Sequence, residues 1–269
     1  MRGENALRLI RESQRAWAEE RSIPFDSKDQ TTSLDRNLFQ PLHPKTRDDF
    51  EKGRGAELGS MGLPGKMWSL ISSSALACNV FDSWRDRPLD ELARALGLDD
   101  TYRISRFEAT HRTGFGGIPP HLDIELASEM GPVVAVESKF TEPYRPVTNG
   151  FRPSYFANPK PWRHLPKSLE IARALVVGDV QFQYLHAPQL IKHALGLTLS
   201  HEPQGFDLIY LWYRIPGVDG DSTAAEFDLL QSMLGSEFAL RAITYQDLLS
   251  RITIGPEGWL EYVRGRYLP

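Results

Sequence analysis

The chain predicts an α/β fold in which a helical N-terminal part precedes a sheet-bearing core. Three observations predict it. Between residues 102 and 140 the hydrophobic repeat changes from a helical period to about two, as half-buried strands require. Residues 206–215 form a nearly unbroken apolar run, including Leu208-Ile209-Tyr210-Leu211-Trp212-Tyr213, which suits a central strand covered on both faces. Helical patterns precede this core and alternate with its later strands.

The first element is a helix over 6–20, where Leu7, Ile10 and Trp17 share a face. From 21 to 66 the periodicity disappears, and Pro24, Pro41, Pro44, Gly53, Gly55 and Pro64 punctuate a charged stretch, which predicts an irregular arm. The apolar pattern resumes as a helix over 67–84. Pro88 then opens another, whose face of Leu89, Leu92, Ala93 and Leu96 ends at Gly97. Strands are expected over 103–110, 122–126 and 133–140. Residues 145–167, rich in proline and aromatics, predict a long loop. Helices over 168–177 and 188–195 follow, with Gly178 and Gly196 as their expected stops. After the strand over 206–215 come helices over 224–234 and 245–252 around a short strand at 239–244. Pro256 opens a terminal helix carrying Trp259 and Tyr262. The expected division is a helical extension with its arm, 1–100, packed on an α/β core, 101–269.

With 269 residues, 41% hydrophobic and 25% charged, the chain can bury a substantial core and is neither disordered nor fibrous. No apolar run approaches the roughly 20 residues of a membrane span, and Met1-Arg2-Gly3-Glu4 leads into charge instead of a secretory stretch. These features predict a cytoplasmic protein with no membrane partner. The single cysteine, Cys78, excludes an internal disulfide and lies in the run Ala75-Leu76-Ala77-Cys78, where a small buried packing residue fits. A net charge of −4 provides no global basic field, so any nucleic-acid surface must be local.

Alternation in Leu122-Asp123-Ile124-Glu125-Leu126 puts the apolar residues on one face and Asp123 with Glu125 on the other. In Val133-Val134-Ala135-Val136-Glu137-Ser138-Lys139-Phe140 the same rule sets Glu137 beside Lys139. Gly131-Pro132 between the runs predicts a hairpin that brings Asp123 next to Glu137. Hard divalent ions take carboxylate oxygens plus water, so Asp123 and Glu137 are the expected ligands of magnesium, with manganese as the alternative ion. Lys139, at the metal's edge, is placed to hold or help deprotonate the attacking water and to offset charge developing on a phosphate. Glu108, ending the preceding strand, is expected to bind the metal through water or to orient a ligand. An acid-x-Lys triplet is weak by itself, and Asp26-Ser27-Lys28 has the same form. That triplet lies in the arm without a strand pattern, so context singles out Glu137-Ser138-Lys139.

An aspartate, a short gap and Glu-x-Lys on an apolar strand resemble the PD-(D/E)XK nuclease superfamily, which includes many restriction endonucleases. The resemblance covers roughly residues 108–215. Within it, Pro120-His121-Leu122-Asp123 followed by Val136-Glu137-Ser138-Lys139-Phe140-Thr141-Glu142 resembles a bacterial restriction-endonuclease-like branch. The upstream Ser74-Ala75-Leu76-Ala77-Cys78-Asn79-Val80-Phe81 looks similar to that branch too. The resemblance implies a restriction-endonuclease-like mixed central sheet flanked by helices, magnesium dependence, metal ligation by Asp123 and Glu137, and a catalytic Lys139. It thus implies an endonuclease, acting on DNA, in restriction or defence. One departure is that His121 and Leu122 separate Pro120 from Asp123, where many members place proline directly before the aspartate. Downstream helices in such nucleases often add a polar residue. Gln189 is the candidate, on one face with Lys192 and His193; an ordinary solvated face is the alternative.

Arg145, Arg152, Lys160, Arg163, Lys167 and Arg173 form a local basic stretch interleaved with Phe151, Tyr155, Phe156 and Trp162. Cations beside stacking rings suit nucleic acid, and Arg152, Lys160, Arg163 and Lys167 are its expected contacts. The same aromatics could instead anchor a long loop to the core. Pro188 separates His186 from His193, which speaks against a histidine zinc site there. Two other readings stay open. A non-catalytic nucleic-acid-binding or assembly subunit would keep Glu137 and Lys139 as a structural ion pair. A sugar hydrolase would use Glu108, Asp123 and Glu125 but leaves Lys139 without a role. A protein partner or a homo-oligomer is compatible with each.

Overall fold

A computed structural model describes residues 3–53, 56–60, 63–202 and 204–268; Met1, Arg2 and Gly55 of the segments discussed above lie outside them. Five strands form the main sheet: β1 (Tyr102–Thr110), β2 (His121–Ser128), β3 (Val133–Lys139), β4 (Phe206–Trp212) and β5 (Ala239–Thr244). They lie side by side in chain order. The first three pair antiparallel and the last three parallel, so the sheet is mixed. Val134, Ala135 and Val136 of β3 are fully buried, as expected for the central strand of such a sheet. A short gap lets β2 turn into β3 as a hairpin, with Ile124 opposite Val136 and Leu126 opposite Val134.

The parallel step from β3 to β4 needs a crossover, supplied by α5 (Pro166–Val177) and α6 (Ala187–His201). A second crossover, α7 (Val218–Leu234), joins β4 to β5 and stacks Phe227 on Tyr210 of β4. On the opposite side, α8 (Tyr245–Arg251) meets β3 where the Tyr245 and Ser138 hydroxyls are 2.6 Å apart. Alternation along β3 therefore turns Ser138 towards α8, and Glu137 and Lys139 towards α6.

The N-terminal elements are α1 (Glu4–Glu20), α2 (Pro44–Lys52), α3 (Ser73–Phe81) and α4 (Asp90–Ala95), with α9 (Trp259–Tyr267) closing the chain. One continuous apolar core takes residues from Ala6 to Tyr267. Buried Arg266 of α9 ties in α1 by donating to Gln14 Oε1 at 2.9 Å while its guanidinium covers the Trp17 ring.

Several elements differ from the expected boundaries for identifiable reasons. The arm is not irregular throughout. Pro44 stands in the first turn of α2, His43 Nδ1 accepts from the Lys45 amide at 3.2 Å, and Thr46 and Phe50 are buried. The helix expected over 67–84 is broken into a short turn at Lys66–Trp68 and α3, because the Ser72 hydroxyl accepts from the Ala75 amide and caps a new start. Gly178 does end α5, with φ +86°. Gly196 does not end α6, which runs on to His201; a Cβ there would lie 2.6 Å from the His111 carbonyl oxygen. This glycine is a seat for the helix and not a stop.

Candidate active site

Asp123 stands where the β2–β3 ladder ends, and its Oδ2 accepts the Ser138 amide proton at 2.7 Å. The register sets it beside Glu137 across the strand pair. Lys139 Nζ lies 2.5 Å from Glu137 Oε1. His193 of α6 brings its Nε2 to 3.0 Å from Glu137 Oε2, yet neither atom has a hydrogen-bond partner of sound geometry. Glu108 falls opposite Asp123 on β1, between the pairs Phe107–Ile124 and Ala109–Leu122. Its φ of +50° is left-handed, a conformation that costs a non-glycine residue about 1–3 kcal/mol and that recurs at working sites. The Glu108 Oε2 lies 2.9 Å from His121 Nδ1.

The electrostatics follow from burying several carboxylates around one ammonium. Burial raises the Asp123 carboxyl well above its usual range, and the neighbouring Glu137 charge adds to this. Burial also acts to raise Glu137, but the Lys139 and His193 side chains outweigh it and hold the group at about 2. Desolvation opposes the charge on Lys139. The Glu137, Asp123 and Glu142 carboxylates more than compensate and keep it protonated, above the ordinary lysine range. Glu108 is pushed up to about 7, first by burial and then by the charges of Glu57 and Glu137.

A carboxyl raised in the folded state binds more protons there than in the unfolded chain, so it stabilises the fold at low pH and loses that contribution as pH rises. Stability of the metal-free protein is therefore expected to fall as pH rises from 4.5 through about 7, with Glu108 accounting for much of the decline in that window. The expected size is about 2–3 kcal/mol. Urea unfolding across this range measures it, and Glu108→Gln should flatten the slope; an unchanged slope would show that Glu108 is not the source.

Lys139 opens onto a cleft of about 290 Å³ that also holds Glu142, Arg145, Tyr184, His186 and Gln189. Gln189 thus shares the cleft with Lys139, although its Oε1 lies 3.0 Å from His186 Nδ1. Pro188 sits in the first turn of α6 and opens the helix; His186 falls outside it as the cap residue. Glu142 is held by the Phe140 and Thr141 amides, at 2.9 and 3.0 Å, and by the Ser73 hydroxyl at 2.8 Å.

The four basic residues expected at a nucleic-acid surface have different immediate surroundings. Arg152 joins Lys192 beside a second cleft lined by Phe115, Gly116, Gly117 and Tyr155. Arg163 pairs with Glu202 at 3.2 Å, the Lys167 amide donates to Glu237, and Lys160 is exposed. Phe151 and Trp162 are buried against each other and anchor the loop, as the plainer expectation for these aromatics had it. Glu125 shares a face with Asp123 but is engaged by Arg106 at 3.1 Å and His111 at 2.7 Å. Burial would raise it, but these two partners bring it down to about 2, so it has no proton to donate near neutrality and does not serve a sugar hydrolase as acid.

Three contributors were not assigned roles from the sequence. His193 carried a signal, since it lies one turn beyond Gln189 on a polar helix face. Glu57 comes from the aperiodic arm, where Lys66 at 3.1 Å and the Ser74 hydroxyl at 3.0 Å hold it, and no pattern marks it. Glu142 was visible only as part of the longer string after Lys139.

A mixed five-stranded sheet with flanking helices, carrying an acidic pair and a lysine on two adjoining strands, defines a restriction-endonuclease-like α/β fold. The chain belongs to the family described as restriction endonuclease associating with ARP, whose model matches residues 11–268. No curated protein and no solved structure matches it. Membership implies a nuclease, a hydrolase of phosphodiester bonds with nucleic acid as substrate. Among the described residues, no helix is long and apolar enough to cross a membrane.

Proposed function

We propose that this chain is a magnesium-dependent endonuclease acting on DNA in restriction or defence, with its centre at Asp123, Glu137 and Lys139. The observation that carries the reading is the meeting of these three groups on one face of β2 and β3. A cation suits the donor set. Asp123, Glu137 and Glu108 set three carboxyl groups around the single ammonium of Lys139, and burial together with Glu137 disfavours the Asp123 carboxylate unless a cation joins it.

Asp123 and Glu137 would hold the ion, with manganese an acceptable substitute. A bound divalent ion lowers the pKa of its water and draws charge from a phosphate. Lys139, kept protonated by its carboxylate neighbours, donates towards the attacking water and the developing phosphate charge. Glu108, at about 7, can accept a proton near neutrality while His121 orients it. Gln189 offers an amide to substrate entering the cleft beside Lys139, and Arg152 with Lys192 offers cations to the phosphate backbone. The family's description further suggests that the nuclease works beside a protein partner, ARP.

The closure of Glu137 between Lys139 and His193 favours one other reading, a nucleic-acid-binding subunit in which these groups form a structural network. Incubating the full chain with supercoiled plasmid and with RNA, in magnesium, manganese or chelator, separates the two. Metal-dependent nicking of DNA that the chelator abolishes is expected. Salt-sensitive binding without cleavage under any metal would favour the binding subunit.

A further inference from the structure

A second group of ligating side chains stands apart from the acid–lysine centre. His111 follows the end of β1, Glu125 lies on β2 and His201 ends α6, and one ligand atom from each lies within 4.8 Å of the others. The Glu125 Oε2 is 2.7 Å from His111 Nε2 and 3.9 Å from His201 Nε2. The two imidazole rings have centroids 5.1 Å apart. His111 and Glu125 are buried; the His201 side chain is 20% exposed, and its Nε2 makes no hydrogen bond.

Packing brings these residues together. Gly196 lets α6 settle directly onto His111, since an added Cβ would meet the His111 backbone and side chain at 2.6–2.7 Å. The helix then continues past that seat and delivers His201 beside His111. Arg106 donates to both oxygens of Glu125, at 3.1 and 3.3 Å, and so orients the carboxylate.

We propose that His111, Glu125 and His201 bind a zinc-class divalent cation at a site separate from Asp123 and Glu137. Two imidazole nitrogens and one carboxylate oxygen are the donor types that zinc accepts, whereas magnesium prefers oxygen ligands throughout. The partial exposure of His201 leaves room for water or another ligand in the fourth position. Such an ion links β1, β2 and the C-terminal end of α6, the helix that carries Gln189 to the cleft beside Lys139 and His193 to Glu137. Its role is to fix that helix, and the inference does not depend on the nuclease reading.

Calorimetric titration of the metal-free full chain with zinc chloride tests the proposal, alongside thermal melting. One zinc per chain is expected, with a raised melting midpoint and no displacement by excess magnesium. His201→Ala, which alters the most exposed of the three residues, should weaken zinc binding by at least about 100-fold and abolish the zinc-induced shift in melting. The Asp123→Asn/Glu137→Gln variant, which disables the proposed nuclease centre, should bind zinc as the wild type does. The proposal is overturned if the wild type takes up no zinc. It also fails if His201→Ala binds as well as the wild type, or if only Asp123→Asn/Glu137→Gln loses the ion. In those cases the three residues are an ion-pair network alone.

Discussion

Asp123→Asn is expected to reduce metal-dependent DNA cleavage by about 1,000-fold or more, equivalent to about 4 kcal/mol of barrier, while the protein remains folded. The asparagine carboxamide oxygen can still accept the Ser138 amide proton that Asp123 Oδ2 accepts at 2.7 Å. What disappears is one charged oxygen donor for the cation. In the metal-free protein the native carboxylate is disfavoured by burial and by Glu137, so neutralising it should leave stability near neutral pH unchanged or raise it by about 1 kcal/mol. Melting with and without magnesium provides the second readout, because a ligand that binds only the folded state raises the midpoint by mass action. Asp123→Asn should lose that rise. A variant that cleaves DNA normally, or melts with the wild-type response to magnesium, would falsify the assignment of Asp123 as a ligand.

Lys139→Met is expected to abolish cleavage and also to destabilise the fold by about 3–5 kcal/mol, the usual consequence of leaving a buried charge without its partner. Methionine approximates the shape of the lysine stem but leaves Glu137 and Asp123 without the ammonium that faces them. The control is Glu137→Gln/Lys139→Met, which removes both charges of the pair. Its stability should recover much of the loss, whereas its cleavage should not recover. Urea unfolding of the two single variants and the double variant gives the coupling directly. Additive losses would mean that Lys139 and Glu137 contribute independently despite the 2.5 Å separation.

The grouping of Asp123, Glu137 and Lys139 was legible because its pattern is local. Asp123 and Glu137 lie on strands joined by a short turn, and alternation assigns each side chain to a face before any distant contact is known. The same reasoning placed Lys139 beside Glu137. It was silent on the partners of Glu125, because a shared face says nothing about Arg106 and His111. Nor did it reveal the backbone at Glu108, because periodicity does not register a left-handed conformation at one residue of a strand. Serines within the apolar stretch of 67–84 were compatible with a continuous helix until Ser72 was seen to cap α3. Gly196 had the composition of a helix stop but sits in the interior of α6, where its missing side chain makes space for His111.

By itself the sequence determined which segments form the strands of the main sheet, which of their faces is polar, and that two acids and a lysine project from adjacent strands, since each property depends on neighbours a few residues apart. Tertiary structure alone decided that Glu57 of the arm stands near Glu108, that His193 reaches Glu137, and that His111, Glu125 and His201 converge. Those groups are distant along the chain and carry no shared period. Their meeting depends on where α6 and the arm come to rest against the sheet, and that is set by packing of the whole core.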